Sequence, residues 1–144
     1  MQEVIDTLAL DKNKKILLFG GGKSEIEILD TLSSGKANVI NMAGKIKFPQ
    51  ELQLISNLDV MLSMDSGNAH IAAMLGVKVI TLWGATHPYT GFSPFNQPLE
   101  NAFVSDRNLF PKLPTSVYGN KIVEGYEDAM RTIRVEEIVS KIQL

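Results

Sequence analysis

The chain has 144 residues, 44% hydrophobic and 21% charged, which suits one globular domain with one core. A formal net charge of -2 excludes a broad basic face for nucleic acid, and the lack of cysteine excludes a disulfide scaffold, a thiol nucleophile and a thiolate metal site. The start MQEVIDTLALDKNKK has no signal-peptide core and no apolar run is long enough to span a bilayer, so a cytoplasmic location is expected.

Along the chain, Glu3 to Leu10 reads as a short amphipathic helix on Val4, Ile5, Leu8 and Leu10. Ile16 to Phe19 is a continuous apolar run, the mark of a strand buried on both faces. Gly20-Gly21-Gly22 turns the chain, and Ser24 is placed to cap a helix reaching about Ser33, which Gly35 ends. Val39-Ile40 is a short strand, Met42 to Phe48 a loop, and Pro49 begins a helix through Ser56. Val60 to Leu62 and Val79 to Leu82 are further buried strands. They flank a small-residue helix on Ala69, Ala72, Ala73 and Gly76, whose role is close packing on the sheet. This alternation is the βαβ rhythm of a Rossmann-like parallel sheet with helices on both faces. From His87 to Gly119 the chain holds all but one of its six prolines and a single strand candidate, Ala102 to Val104. Glu124 to Leu144 reads as helix again, in two pieces.

Chemistry concentrates at Asp65-Ser66-Gly67-Asn68-Ala69-His70, a turn between a buried strand and a helix. Ser66 is a good N-cap, and Gly67 lets a ligand approach the backbone. The free N–H groups of the first turn and the helix dipole favour a diphosphate, to which His70 could donate. Asp65 beside an anion is repulsive, so it suits backbone capping or a sugar hydroxyl. The bland reading is that Ser66 only caps and His70 only packs.

Gly20-Gly21-Gly22-Lys23-Ser24 resembles part of a P-loop, but Leu17 stands where the first glycine is needed, and Glu25 spoils the dinucleotide fingerprint. Gly21 remains in a glycine turn at the ligand end of a strand. Glu25 could accept from ribose hydroxyls or simply favour the helix dipole. Ile46 or Phe48 could pack on a base or merely cover the core. Thr86 and His87 follow the strand ending at Trp83; either could approach a donor sugar, with a simple turn the plainer role for His87. No metal-ligand spacing occurs.

These residues carry a resemblance. Asp65 to Lys78 resembles the D-(T/S)-G-x-x-H-x-A-A-x-x-G-x-P segment of glycosyltransferase family 9, the ADP-heptose:lipopolysaccharide heptosyltransferases and relatives. Val79 to Pro88 is similar to that family's V-x-x-L-(F/Y)-G-x-T-x-P, and Ala129 to Ile138 to its C-M-x-x-I-x-x-E-x-(V/I) tail. Lys78 replaces the usual proline, a change expected at a solvent-facing strand start, and Ala129 replaces the usual cysteine.

The resemblance implies a GT-B enzyme, with residues 1–144 as its single C-terminal, sugar-nucleotide-binding domain and the N-terminal acceptor domain absent. It implies ADP-heptose as donor substrate, no cofactor, and inverting transfer to a lipid-linked saccharide of the lipopolysaccharide core. Membrane association is expected to be peripheral at most, on the inner face of the inner membrane. The general base is expected in the acceptor domain, so this chain alone should bind but hardly catalyse. Two other readings stay open: half of a GT-B-like sugar-nucleotide epimerase, and a stand-alone nucleotide-binding module.

Overall fold

The computed structural model describes residues 1–143. By its internal contacts the chain forms two compact units, Met1–Glu51 and Leu52–Leu144. Each carries its own parallel sheet, so the architecture is α/β, as the alternating pattern predicts.

In the first unit, α1 (Gln2–Leu8) turns Val4, Ile5 and Leu8 inward. Strand β1 (Ile16–Leu18) runs parallel to β2 (Val39–Asn41) with Ile16 opposite Val39. Ile5, Ala9, Leu18 and Val39 form the core, with Ile16, Leu29 and Leu32 packed against it. Only Leu18 of β1 is buried outright, so the strand lacks the two-sided burial its composition suggests. The buried Asn38 amide donates to the carbonyls of Ala9, Asp11 and Lys14, tying the end of α1 to the loop before β1.

Helix α2 (Lys23–Ser33) is capped differently from the sequence expectation. Gly22, at φ +88°, is the N-cap and Ser24 lies inside the first turn. That left-handed angle is cheap only for glycine. Asn41 then fixes the next loop: its amide donates to Ile26 O and Asp30 Oδ1, and its oxygen accepts from Ala43 N. Helix α3 (Phe48–Ile55) begins one residue earlier than Pro49, so Phe48 is helical. Proline tolerates the first turn, where its missing N–H has no partner to lose.

In the second unit, β3 (Val60–Met64), β4 (Lys78–Trp83) and β5 (Ala102–Val104) are parallel with β4 central. The register pairs Met64 with Leu82 and Trp83 with Val104. Five of the six β4 residues are buried, which a central strand requires. Helix α4 (Gly67–Met74) packs on β3 and β4 through the buried Ala69, Ala72 and Ala73. Gly76 is not on that face. At φ +80° it ends the helix, with Val77 N bonded to Ala72 O and Gly76 N to Ala73 O. This is a Schellman close, which needs a residue that tolerates the left-handed region.

After β4 the chain is irregular as expected, with 3-10 turns at Pro88–Thr90, Leu99–Asn101 and Ala129–Thr132. The left-handed Gly125, at φ +79°, excludes a helix running on from Glu124, and the C-terminal helix α5 (Val135–Gln143) begins only after the Ala129–Thr132 turn. Ile138 and Val139 are buried and dock it. Leu144, the end of the expected helix, lies outside the described residues.

Lys78 is half-buried, not solvent-facing, and its Nζ donates to Lys141 O at 2.9 Å in the last turn of α5. A cation on the carbonyl end of a helix satisfies an orphan acceptor and opposes the dipole. Lys78→Met, which keeps the stem but loses the charge, should cost about 0.5–1.5 kcal/mol in urea denaturation. A change within error would show that the bond is worth nothing.

Candidate functional site

In open parallel sheets, ligands bind beyond the carboxyl ends of the strands. In the second unit β3 ends at Met64, and two residues later α4 begins at Gly67. Ser66 is the N-cap by position, in extended backbone at φ -152° and ψ 163°, yet its side chain makes no cap hydrogen bond. The hydroxyl lies 2.8 Å from Ser63 Oγ instead. Ser63 spends its own proton on Met64 O at 2.9 Å, so Ser66 donates and Ser63 accepts. The expected serine cap is therefore absent, because a buried strand hydroxyl competes for it.

The consequence is chemical. Ala69 N reaches back to Ser66 O at 3.2 Å, while no side chain serves the N–H groups of Gly67 and Asn68. Open N–H groups at the positive end of a helix suit an anion. A Cβ built on Gly67 would meet nothing within 4 Å, so the space beside this backbone is open. His70 is half-buried in the same turn, and its side chain makes no hydrogen bond among the described residues. Asn68 is half-buried; Asp65 is exposed and caps nothing, so the capping role suggested for it is not realised.

Beyond the neighbouring strand β4, Thr86 is half-buried, and a Cβ added to Gly119 would lie 2.6 Å from its methyl. His87 takes the turn role: its Nδ1 accepts from Tyr89 N at 3.2 Å and caps the Pro88–Thr90 turn, with the Tyr89 ring 4.5 Å away. Burial, then the nearby Arg107 guanidinium, hold the imidazole pKa below its usual value.

The remaining candidates lie in the first unit, again past strand ends. Glu25 Oε2 accepts from Gly21 N at 2.7 Å, closing the glycine turn onto the first turn of α2. The carboxylate thus has a local structural duty, with Oε1 left over. Ile46 is half-buried in the loop after β2, and Phe48, at the start of α3, is 58% exposed. Exposure of that size is not core cover, so the covering role fails for Phe48. No group of three or more His, Cys, Asp or Glu side chains able to hold a metal occurs among the described residues.

Two residues escaped the sequence reading. Ser63 sets the direction of the Ser66 hydroxyl, and a polar residue inside VMLSM was its signal. Arg107 lies three residues past β5, at the same end of the sheet as His87, which its place after Ala102 to Val104 could have shown.

A protein-family comparison matches residues 2–120 to glycosyltransferase family 9 (heptosyltransferase). The chain is 33% identical over 85 residues to lipopolysaccharide heptosyltransferase 3 of Escherichia coli, covering 58% of this chain and 25% of that protein. It is 30% identical over 125 residues to the lipopolysaccharide core heptosyltransferase OpsX of Haemophilus influenzae, covering 84% and 35%. Among solved structures it superposes on E. coli heptosyltransferase WaaC with ADP at a TM-score of 0.60 and 27% identity, over 72% of this chain and 30% of that one.

The fold is thus the parallel α/β architecture of the GT-B glycosyltransferases. The chain belongs to glycosyltransferase family 9, and it spans between a quarter and two fifths of the length of the curated relatives it matches.

Proposed function

We propose that this chain is the donor-binding part of a heptosyltransferase-like glycosyltransferase of lipopolysaccharide core synthesis. The observation that carries the reading is the uncapped start of α4 at the carboxyl end of β3, beside the open space at Gly67. The amides of Gly67 and Asn68 and the His70 imidazole would hold the diphosphate of the donor, with Ser66 framing the seat. Asp65 and Thr86 would face sugar hydroxyls. Within the first unit, taken by itself, Glu25, the Gly21 backbone, Ile46 and Phe48 are the candidates for the nucleoside.

The preferred donor is ADP-heptose. The presence of ADP in the related WaaC structure and the names of the relatives support it. Transfer would be inverting: an acceptor hydroxyl attacks the anomeric carbon, its proton passes to a base, and the nucleoside diphosphate leaves. Fixed N–H donors lower the cost of the charge that develops on the leaving diphosphate. The α4 turn would supply that stabilisation, while the general base, worth about two to four orders of magnitude in rate, would come from the portion of the relatives that this chain does not match. The chain by itself would therefore bind donor and transfer sugar barely at all. The acceptor, a lipid-linked saccharide, would be met by the portion of the relatives that this chain does not match.

Calorimetry with ADP, UDP and GDP tests the reading. Saturable binding of a nucleoside diphosphate, strongest for ADP, is expected. Binding to none of the three would return the chain to a stand-alone α/β module without a nucleotide ligand.

A further inference from the structure

We propose that Arg107 and His87 form a second anion contact, which takes a phosphate-type oxyanion at the carboxyl end of β4 and β5. The sheet itself brings them together. Trp83 and Val104 are paired in the parallel register, so the segments Gly84–His87 and Ser105–Arg107 leave the same end of adjacent strands. Two bonds hold the strand ends side by side, Ser105 N and Ser105 Oγ both donating to Trp83 O, and Thr115 N, from the later loop, donates to Ala85 O.

Arg107 is fixed through its Nε, which donates to Leu113 O at 3.1 Å, and its terminal Nη groups make no hydrogen bond among the described residues. Among the described residues no carboxylate pairs with it. The adjacent Asp106 spends Oδ1 on the amides of Asn108 and Leu109. On the other side, Tyr89 N–H donates to His87 Nδ1, so the neutral ring carries its proton on Nε2, and among the described residues no acceptor takes it. Thr115 Oγ1, in the same pair of loops, is buried without a partner. Burial first, and then the nearby Arg107 guanidinium, disfavour the His87 imidazolium, and an anion held by both side chains would offset the second of these. Arginine offers an oxyanion several donors at once, and the Nε2–H adds another.

Two sources share this chemistry, and both rest on the function proposed above: the diphosphate of the donor, and an anionic group on an acceptor that is held mainly by the portion of the relatives this chain does not match. The chain has two histidines, so each imidazole can be followed by NMR, with His87→Asn assigning the pair. Asparagine keeps an oxygen to cap Tyr89 N while removing Nε2–H. On titrating inorganic phosphate near neutral pH, the His87 resonances should move saturably and the His87 pKa should rise. Arg107→Gln should weaken phosphate by about tenfold, the loss expected for a charge-assisted contact, and His87→Asn should weaken it several-fold by calorimetry. If ADP saturates the shift and excludes phosphate, the donor is the source. If phosphate still binds with ADP in place, the acceptor is. His70 reports ADP independently, so a failed nucleotide reading is visible by itself. A His87 signal indifferent to both phosphate and ADP, or an Arg107→Gln protein that responds like the parent, overturns the proposal.

Discussion

Trp83→Ala should lose about 3–5 kcal/mol of stability, the usual cost of emptying a large aromatic site in a core. Trp83 is fully buried in the last position of β4, and its Nε1 donates to Thr81 Oγ1 at 2.7 Å. Truncation opens a cavity at the centre of the sheet and strands the Thr81 hydroxyl, itself buried. Domains have about 5–15 kcal/mol in hand, so the variant should keep only part of its stability and unfold at a clearly lower denaturant midpoint and temperature by far-UV circular dichroism. Trp83→Phe refills most of the space and should recover part of the loss. A Trp83→Ala protein with unchanged denaturant midpoint would mean that β4 is not the centre of this unit.

The largest effect on binding is expected at the α4 turn. His70→Ala should weaken nucleoside diphosphate by about 1.5–3 kcal/mol, the range for a hydrogen bond to a charged group, and Ser66→Ala by about 1 kcal/mol. The structure adds a control. A serine that truly capped α4 would cost about 1 kcal/mol of stability on truncation. Ser66 instead donates to Ser63, so Ser66→Ala should leave stability within about 0.5 kcal/mol, as for an ordinary surface change. Lost affinity with retained stability separates a ligand seat from a helix cap. Retained affinity with lost stability would identify a cap and nothing more.

Much of this was readable from residue order. The run Val60 to Leu82 announced two strands around a small-residue helix, and the strands stand there. The turn at Ser66 was placed correctly because strand-to-helix turns have strong local chemistry: an extended residue, a glycine, then alanines. What failed was the choice of helix cap and of hydrogen-bond partner. Ser24 looked like a cap, but Gly22 could adopt the left-handed angle and took the position. The Ser66 hydroxyl was lost to a residue three places back in a buried strand. Lys78 looked like a tolerated surface change until α5, far along the chain, brought a carbonyl to its ammonium. Local signals carry the order of the elements, whereas which residue caps a helix or takes a hydrogen bond is a competition, near or far, that residue order alone does not show.

The most direct measurement is a crystal soaked with a nucleoside diphosphate sugar. The account predicts pyrophosphate oxygens within hydrogen-bond reach of the Gly67 and Asn68 amides, with His70 alongside. Pyrophosphate bound elsewhere, with only water at the start of α4, would contradict it.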